Sequence, residues 1–139
     1  MAIDCFLDTN VLVYGATGRQ DEPHKAAVAR QLVATQLFGV SAQTLAEFYS
    51  VVSRSVLAPL SLAEIDAWIE RLATFPFTAV DANIVRAGIL LSRRYDIGYF
   101  DGALLAAAER LGAPIFYSED LNHDQVYGSV RVVNPFLEP

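Results

Sequence analysis

The sequence predicts an α/β protein: a central parallel sheet of about five strands, with helices on both faces. Three observations carry this. Short apolar runs of strand length alternate along the chain with segments of helical period. Helix-start residues (Ser41, Ser61 and Asp81) stand at the junctions. The 139 residues suit one domain, 1–139, around one core. Strands that alternate with helices imply a parallel sheet covered on both sides, joined by right-handed crossovers.

Taken in order, "AIDCFL" (2–7) is an apolar, β-compatible run and reads as a buried strand. "HKAAVARQLVATQL" (24–37) is helical in period, with Pro23 suited to its first turn behind Asp21 and Glu22. "FGVS" (38–41) is a second strand, and Ser41 caps a helix running to about Arg54. Ser61 and Glu64 form a capping box that opens a helix to about Ala73. "FTAV" (77–80) is a third strand, and Asp81 caps a helix to about Arg94. "FDGALLAAAERLG" is another helix, with Gly112 as its stop and Pro114 beyond. "IFYS" (115–118) and "VRVV" (130–133) are the last two strands.

Hydrophobic residues make up 53% and charged residues 19%, which excludes disorder and leaves apolar surface for a partner. No apolar stretch approaches the roughly 18–20 residues that span a bilayer. The chain opens without a basic leader and apolar segment, so no secretory signal and no membrane association are expected. The single cysteine, Cys5, lies in the first apolar run and reads as a core residue; a cytoplasmic location fits. The net charge of -6 argues against a free-standing, high-affinity nucleic-acid binder. A nuclease stays open, since bound divalent cations reverse the local field at a phosphate. A basic protein partner also suits this charge. Lys25 is the only lysine.

In open parallel sheets, ligands bind beyond the carboxyl ends of the strands. Four acids fall near that edge. Asp8 ends the first strand, Glu47 lies in the first two turns of the helix after the second, Asp101 opens "YFDGALLAAA", and Asp120 closes "IFYSED". Each has a plain structural reading. Asp8 suits a turn or a helix N-cap, Asp101 a helix N-cap, Glu47 a solvated helix face, and Asp120 a loop. Together, four carboxylates at one edge repel one another unless some are protonated or a cation sits among them. No His and Cys cluster offers a soft-metal site, and all-oxygen donors favour Mg²⁺ or Mn²⁺.

The pieces "FLDTNVLVY", "SAQTLAEFYSVV", "YFDGALLAAA", "PIFYSEDLNHDQVYG" and "VRVVNPF" resemble, in order and from end to end, the PIN domain family. The likeness is to the VapC-type ribonuclease toxins of toxin–antitoxin systems. The resemblance implies a helix-sandwiched parallel sheet with four acids around one or two Mg²⁺ or Mn²⁺ ions. Position by position, Asp8, Glu47, Asp101 and Asp120 match the quartet that carries catalysis and metal binding. Thr9 and Asn10 match the polar pair after its first Asp, and Ser118 the small hydroxyl residue before its last. The resemblance also implies RNA as substrate, a cognate antitoxin that neutralises the toxin, and a homodimer.

One position departs from the family pattern. After "EDLNH" the common residue is Gly, and here it is Asp124, either an inert loop acid or an extra acid near the site. His123 reads as a hydrogen-bonded loop histidine and His24 as an exposed helix-start residue. Arg19, Arg54, Arg93 and Arg94 are candidates to hold RNA backbone. A water nucleophile predicts 5′-phosphate and 3′-hydroxyl ends. Rival readings fare worse. A haloacid-dehalogenase phosphatase needs a second Asp where Asn10 stands, a receiver domain needs a late lysine, and no GxxxxGK offers a P-loop. A non-toxin RNA-processing PIN nuclease and an inert PIN-like scaffold remain as alternatives.

Overall fold

Cys5, Phe6 and Leu7 are fully buried, and successive side chains serve opposite faces. Cys5 and Leu7 pack into one hydrophobic cluster and Phe6 into another. This strand, β1 (Cys5–Leu7), is therefore central, with a core on each side. The computed structural model describes residues 2–18, 21–56 and 59–137.

After β1 the chain forms α1 (Thr9–Thr17), α2 (Pro23–Thr35), β2 (Phe38–Ser41), α3 (Ala42–Val52) and α4 (Leu62–Leu72). Then come β3 (Phe77–Thr78), α5 (Ala82–Tyr95), α6 (Tyr99–Arg110), β4 (Ile115–Tyr117), β5 (Val126–Tyr127) and β6 (Val130–Val133). The strand order is β3-β2-β1-β4-β6-β5. Every pairing is parallel except that of β5 with β6. Residues of α1 to α4, among them Leu12, Val33, Phe48 and Ile65, fill one core with Leu7 and Val40. Residues of α5 and α6, among them Leu91, Leu104 and Leu105, fill the other with Phe6, Phe116 and Val132. The α/β class, the parallel core of the sheet and the two helical layers are as the sequence predicts.

The structure differs from that reading in four places. The sequence reading assigns no helix to 9–17, where α1 stands. "TNVLVYGAT" is rich in β-branched residues and carries a glycine, so its intrinsic helix preference is poor. Complete burial of Val11 and Leu12 supplies what local preference does not. The third strand keeps only Phe77 and Thr78 of 77–80. A sixth strand, β5, folds back onto β6 through Gly128, at φ 61°, and Ser129. Two residues are too few to leave a periodic signal. Finally, Asp101 is not an N-cap: Gly98 caps α6, and Asp101 sits inside its first turn.

The caps at Ser41, Ser61 and Asp81 form as expected. Each side chain accepts a bond from the backbone N–H three residues on, at Thr44, Glu64 and Ile84 respectively. Gly112 follows α6 at φ 74°, a conformation that suits glycine. Buried Cys5, its thiol pushed up to about 12 chiefly by burial, is a core residue. Among the described residues no helix is long and apolar enough to cross a membrane.

Candidate active site

The order β3-β2-β1-β4-β6-β5 reverses direction between β1 and β4. Such a switch point leaves a crevice at the carboxyl edge. Asp8 leaves β1 there, and the segment 118–120 leaves β4 beside it. A backbone bond from Asp8 N to the Tyr117 carbonyl (3.0 Å) keeps the two in register. A cleft of about 480 Å³ opens at this point. Its walls include all four expected acids, Asp8, Glu47, Asp101 and Asp120, with Thr9, Asn10 and Arg54.

Asp8 is the N-cap of α1 and is 4% exposed. One carboxylate oxygen accepts from Thr9 N at 2.7 Å, and the other from Ser118 Oγ at 2.6 Å. Burial pushes its pKa up to about 7; the Ser118 and Thr9 bonds oppose this, and Asp120 and Asp101 add to it. Ser118, itself fully buried, also accepts from Asp120 N at 3.0 Å. Asn10 Nδ2 donates to Asp120 at 2.8 Å. Thr9 Oγ1 donates to Glu47 at 2.8 Å. Thus each of the three polar residues singled out beside the acids holds an acid's side chain. Asp101 reaches the cleft from α6, and burial raises its pKa first, with Asp120 and Glu47 adding repulsion.

Three further residues belong to this site and escape the sequence reading. Gln43 Nε2 bridges Glu47 Oε2 and the Phe100 carbonyl, both at 2.9 Å, and so joins α3 to the turn bearing Asp101. Its place four residues before Glu47, on the same helix face, is the signal available in sequence. Glu119 lines the cleft as a fifth acid, and Tyr14 Oη donates to it at 2.8 Å.

Other candidates separate. Arg54 lines the cleft, its guanidinium tied to the Ser50 carbonyl at 2.6 Å. Arg93 and Arg94 lie in the last turn of α5 and do not line the cleft. Arg19 lies outside the described residues. His123 Nδ1 accepts from Asn134 N at 3.0 Å, a loop-holding bond, and its Nε2 stands 3.2 Å from Asp124. Asp124 does not line the cleft, and its φ of 66° explains the family's usual glycine there. His24 is exposed.

Among the described residues, no three His, Cys, Asp or Glu side chains stand together as a formed metal site. The donor set nevertheless suits a hard divalent cation, since its oxygens are carboxylate and amide. Asn10 Oδ1 is buried with no partner among the described residues, an acceptor left over at the cleft.

Fold and site together define an α/β protein with an acid-lined cleft at the switch point of its sheet. The particular family follows from comparison. The PIN domain family model matches residues 5–129, and the chain belongs to that family. No curated protein sequence matches it. Among solved structures, it is similar to a toxin–antitoxin complex from Klebsiella pneumoniae, with a TM-score of 0.69 at 19% identity, covering 95% of this chain and 98% of that one. It is also similar to VapC20 of Mycobacterium tuberculosis, described as a sarcin-ricin loop cleaving toxin, with a TM-score of 0.67 at 18% identity over 84% and 92%. A third is VapBC2 from Rickettsia felis bound to a fragment of its promoter DNA, with a TM-score of 0.59 at 17% identity over 91% and 95%.

Proposed function

We propose that this chain is a metal-dependent endoribonuclease and the toxin of a toxin–antitoxin pair. The carrying observation is that four carboxylates from four segments line one cleft, where Arg54 is the one arginine or lysine among the described lining residues. Membership of the PIN family and the toxin complexes among its structural neighbours support the same reading.

In this reading Asp8, Asp101 and Asp120, with Glu47, hold Mg²⁺ or Mn²⁺. The cation, when bound, supplies an acidified water and offsets charge on the phosphate. The chain's own residues do the rest. Ser118 and Thr9 N fix both oxygens of Asp8, so its carboxylate meets the cleft in one orientation. Asn10 holds Asp120, and Thr9 and Gln43 together hold Glu47. Acids fixed by neighbours before substrate arrives lose little order on binding it. Arg54 meets the incoming phosphate backbone.

The cognate antitoxin in this proposal is a basic segment suited to an acidic cleft. The protein acts in the cytoplasm as a homodimer. Asp124 takes no part in the chemistry. Mapping the cut ends of a labelled RNA tests the mechanism: 5′-phosphate and 3′-hydroxyl ends are expected, and a 2′,3′-cyclic phosphate overturns the water-nucleophile route. Binding to the product of an adjacent small gene tests the toxin reading. Cleavage without such binding favours an RNA-processing nuclease.

A further inference from the structure

Residues 118 to 120 are fastened to α1 one after another. Ser118 bonds Asp8, Glu119 bonds Tyr14, and Asp120 bonds Asn10. Of the three, Glu119 is the one outside the quartet whose side-chain bonds, to Tyr14 and Lys25, also lie outside it. Its second oxygen accepts from Lys25 Nζ of α2 at 2.9 Å. Lys25 is further seated over the rings of Tyr14 (5.4 Å) and Phe136 (5.8 Å), and those two rings pack edge to face at 5.2 Å. Glu22 lies 4.0 Å from the same ammonium. The bridged pair is only partly exposed, at 28% and 21% for its two side chains.

We propose that Lys25 is a positioning residue: it pins Glu119 against Tyr14 and keeps a fifth carboxylate out of the acid quartet. The proposal rests on the nuclease reading above. Glu119 lines the cleft and directly precedes Asp120. Unpinned, its carboxylate is released into the cleft that the quartet lines. There it would compete for the cation and repel the phosphate backbone. Both oxygens are occupied as long as Tyr14 and Lys25 hold them. The only lysine in the sequence is spent on this contact.

The test is a mutant cycle on the full chain: Lys25→Met, Glu119→Gln and the double variant, with Lys25→Arg as the conservative control. Mn²⁺ affinity is read by calorimetry without RNA, and KM and kcat with RNA. Lys25→Met is expected to bind Mn²⁺ more tightly and to raise the RNA KM about tenfold, the order of effect of one uncompensated carboxylate charge in a partly buried cleft. The double variant is expected to recover most of what Lys25→Met loses, and Lys25→Arg to match the parent. A double variant no milder than Lys25→Met, or Lys25→Met equal to the parent, overturns the proposal.

A separate readout needs no activity. Selective ¹⁵N-lysine labelling gives one side-chain ammonium signal. A protected signal that Glu119→Gln converts to that of a free lysine supports the pin. A signal already free in the parent overturns it. A parent that cuts no RNA while keeping the protected signal refutes the nuclease reading and leaves the pin standing.

Discussion

Asp8 sets burial against charge. Its pKa, raised to about 7 in the fold chiefly by desolvation, stands well above the ordinary aspartate value. The folded protein therefore holds this proton more tightly than the unfolded chain does. The stability linked to it is fully present below about pH 4 and is lost as pH rises through about 7. In EDTA, the melting temperature of the parent should fall between pH 5 and pH 8 by more than that of Asp8→Asn. The variant should melt several degrees higher than the parent at pH 8, and calorimetric scans across that range check both. Asp124 offers a simpler case. At φ 66° a glycine avoids the left-handed penalty, so Asp124→Gly should stabilise by about 0.5–1 kcal/mol, less whatever its contact with His123 provides. Denaturant unfolding reads the stability, and RNA cleavage should not change. At this scale the quartet is legible in sequence because each acid follows a strand or sits near the start of a helix. Lys25 and Glu119 are not, because their contact spans 94 residues and only the fold brings them together.

The two helices behind Asp101 meet backbone to backbone. A Cβ added at Gly88 of α5 would stand 2.8 Å from Ala103 Cα, and one at Gly102 of α6 only 2.5 Å from the Gly88 carbonyl oxygen. These glycines let α5 and α6 approach closely, and Gly102 directly follows Asp101. Gly102→Ala should push α6 outward, cost about 1–3 kcal/mol and impair cleavage along with stability. A thermal melt beside an RNA cleavage assay checks this, and an unchanged melting temperature would contradict it. Most elements are legible because strong caps and apolar runs coincide, as at Ser61 and Glu64. Helix α1 is not, because its sequence favours extended backbone and its burial decides the outcome. Strand β5 is not, because its register is set by β6 rather than by its own two residues.

At the scale of the whole molecule, the strand order explains why the acids meet. Reversal between β1 and β4 opens the crevice, α1 runs back from Asp8 along its rim, and α3 and α6 bring Glu47 and Asp101 to the same walls. Parallel topology and its carboxyl edge are readable from alternating strands and helices. The bonds that orient the acids require atoms in place. The most direct test of a metal-dependent nuclease site is cleavage of labelled RNA by purified protein with Mg²⁺, Mn²⁺ or EDTA, beside a folded Asp101→Asn variant. Metal-dependent cutting is expected, falling by at least about a hundredfold in the variant. Equal cutting by the variant, or cutting that survives EDTA, would contradict it.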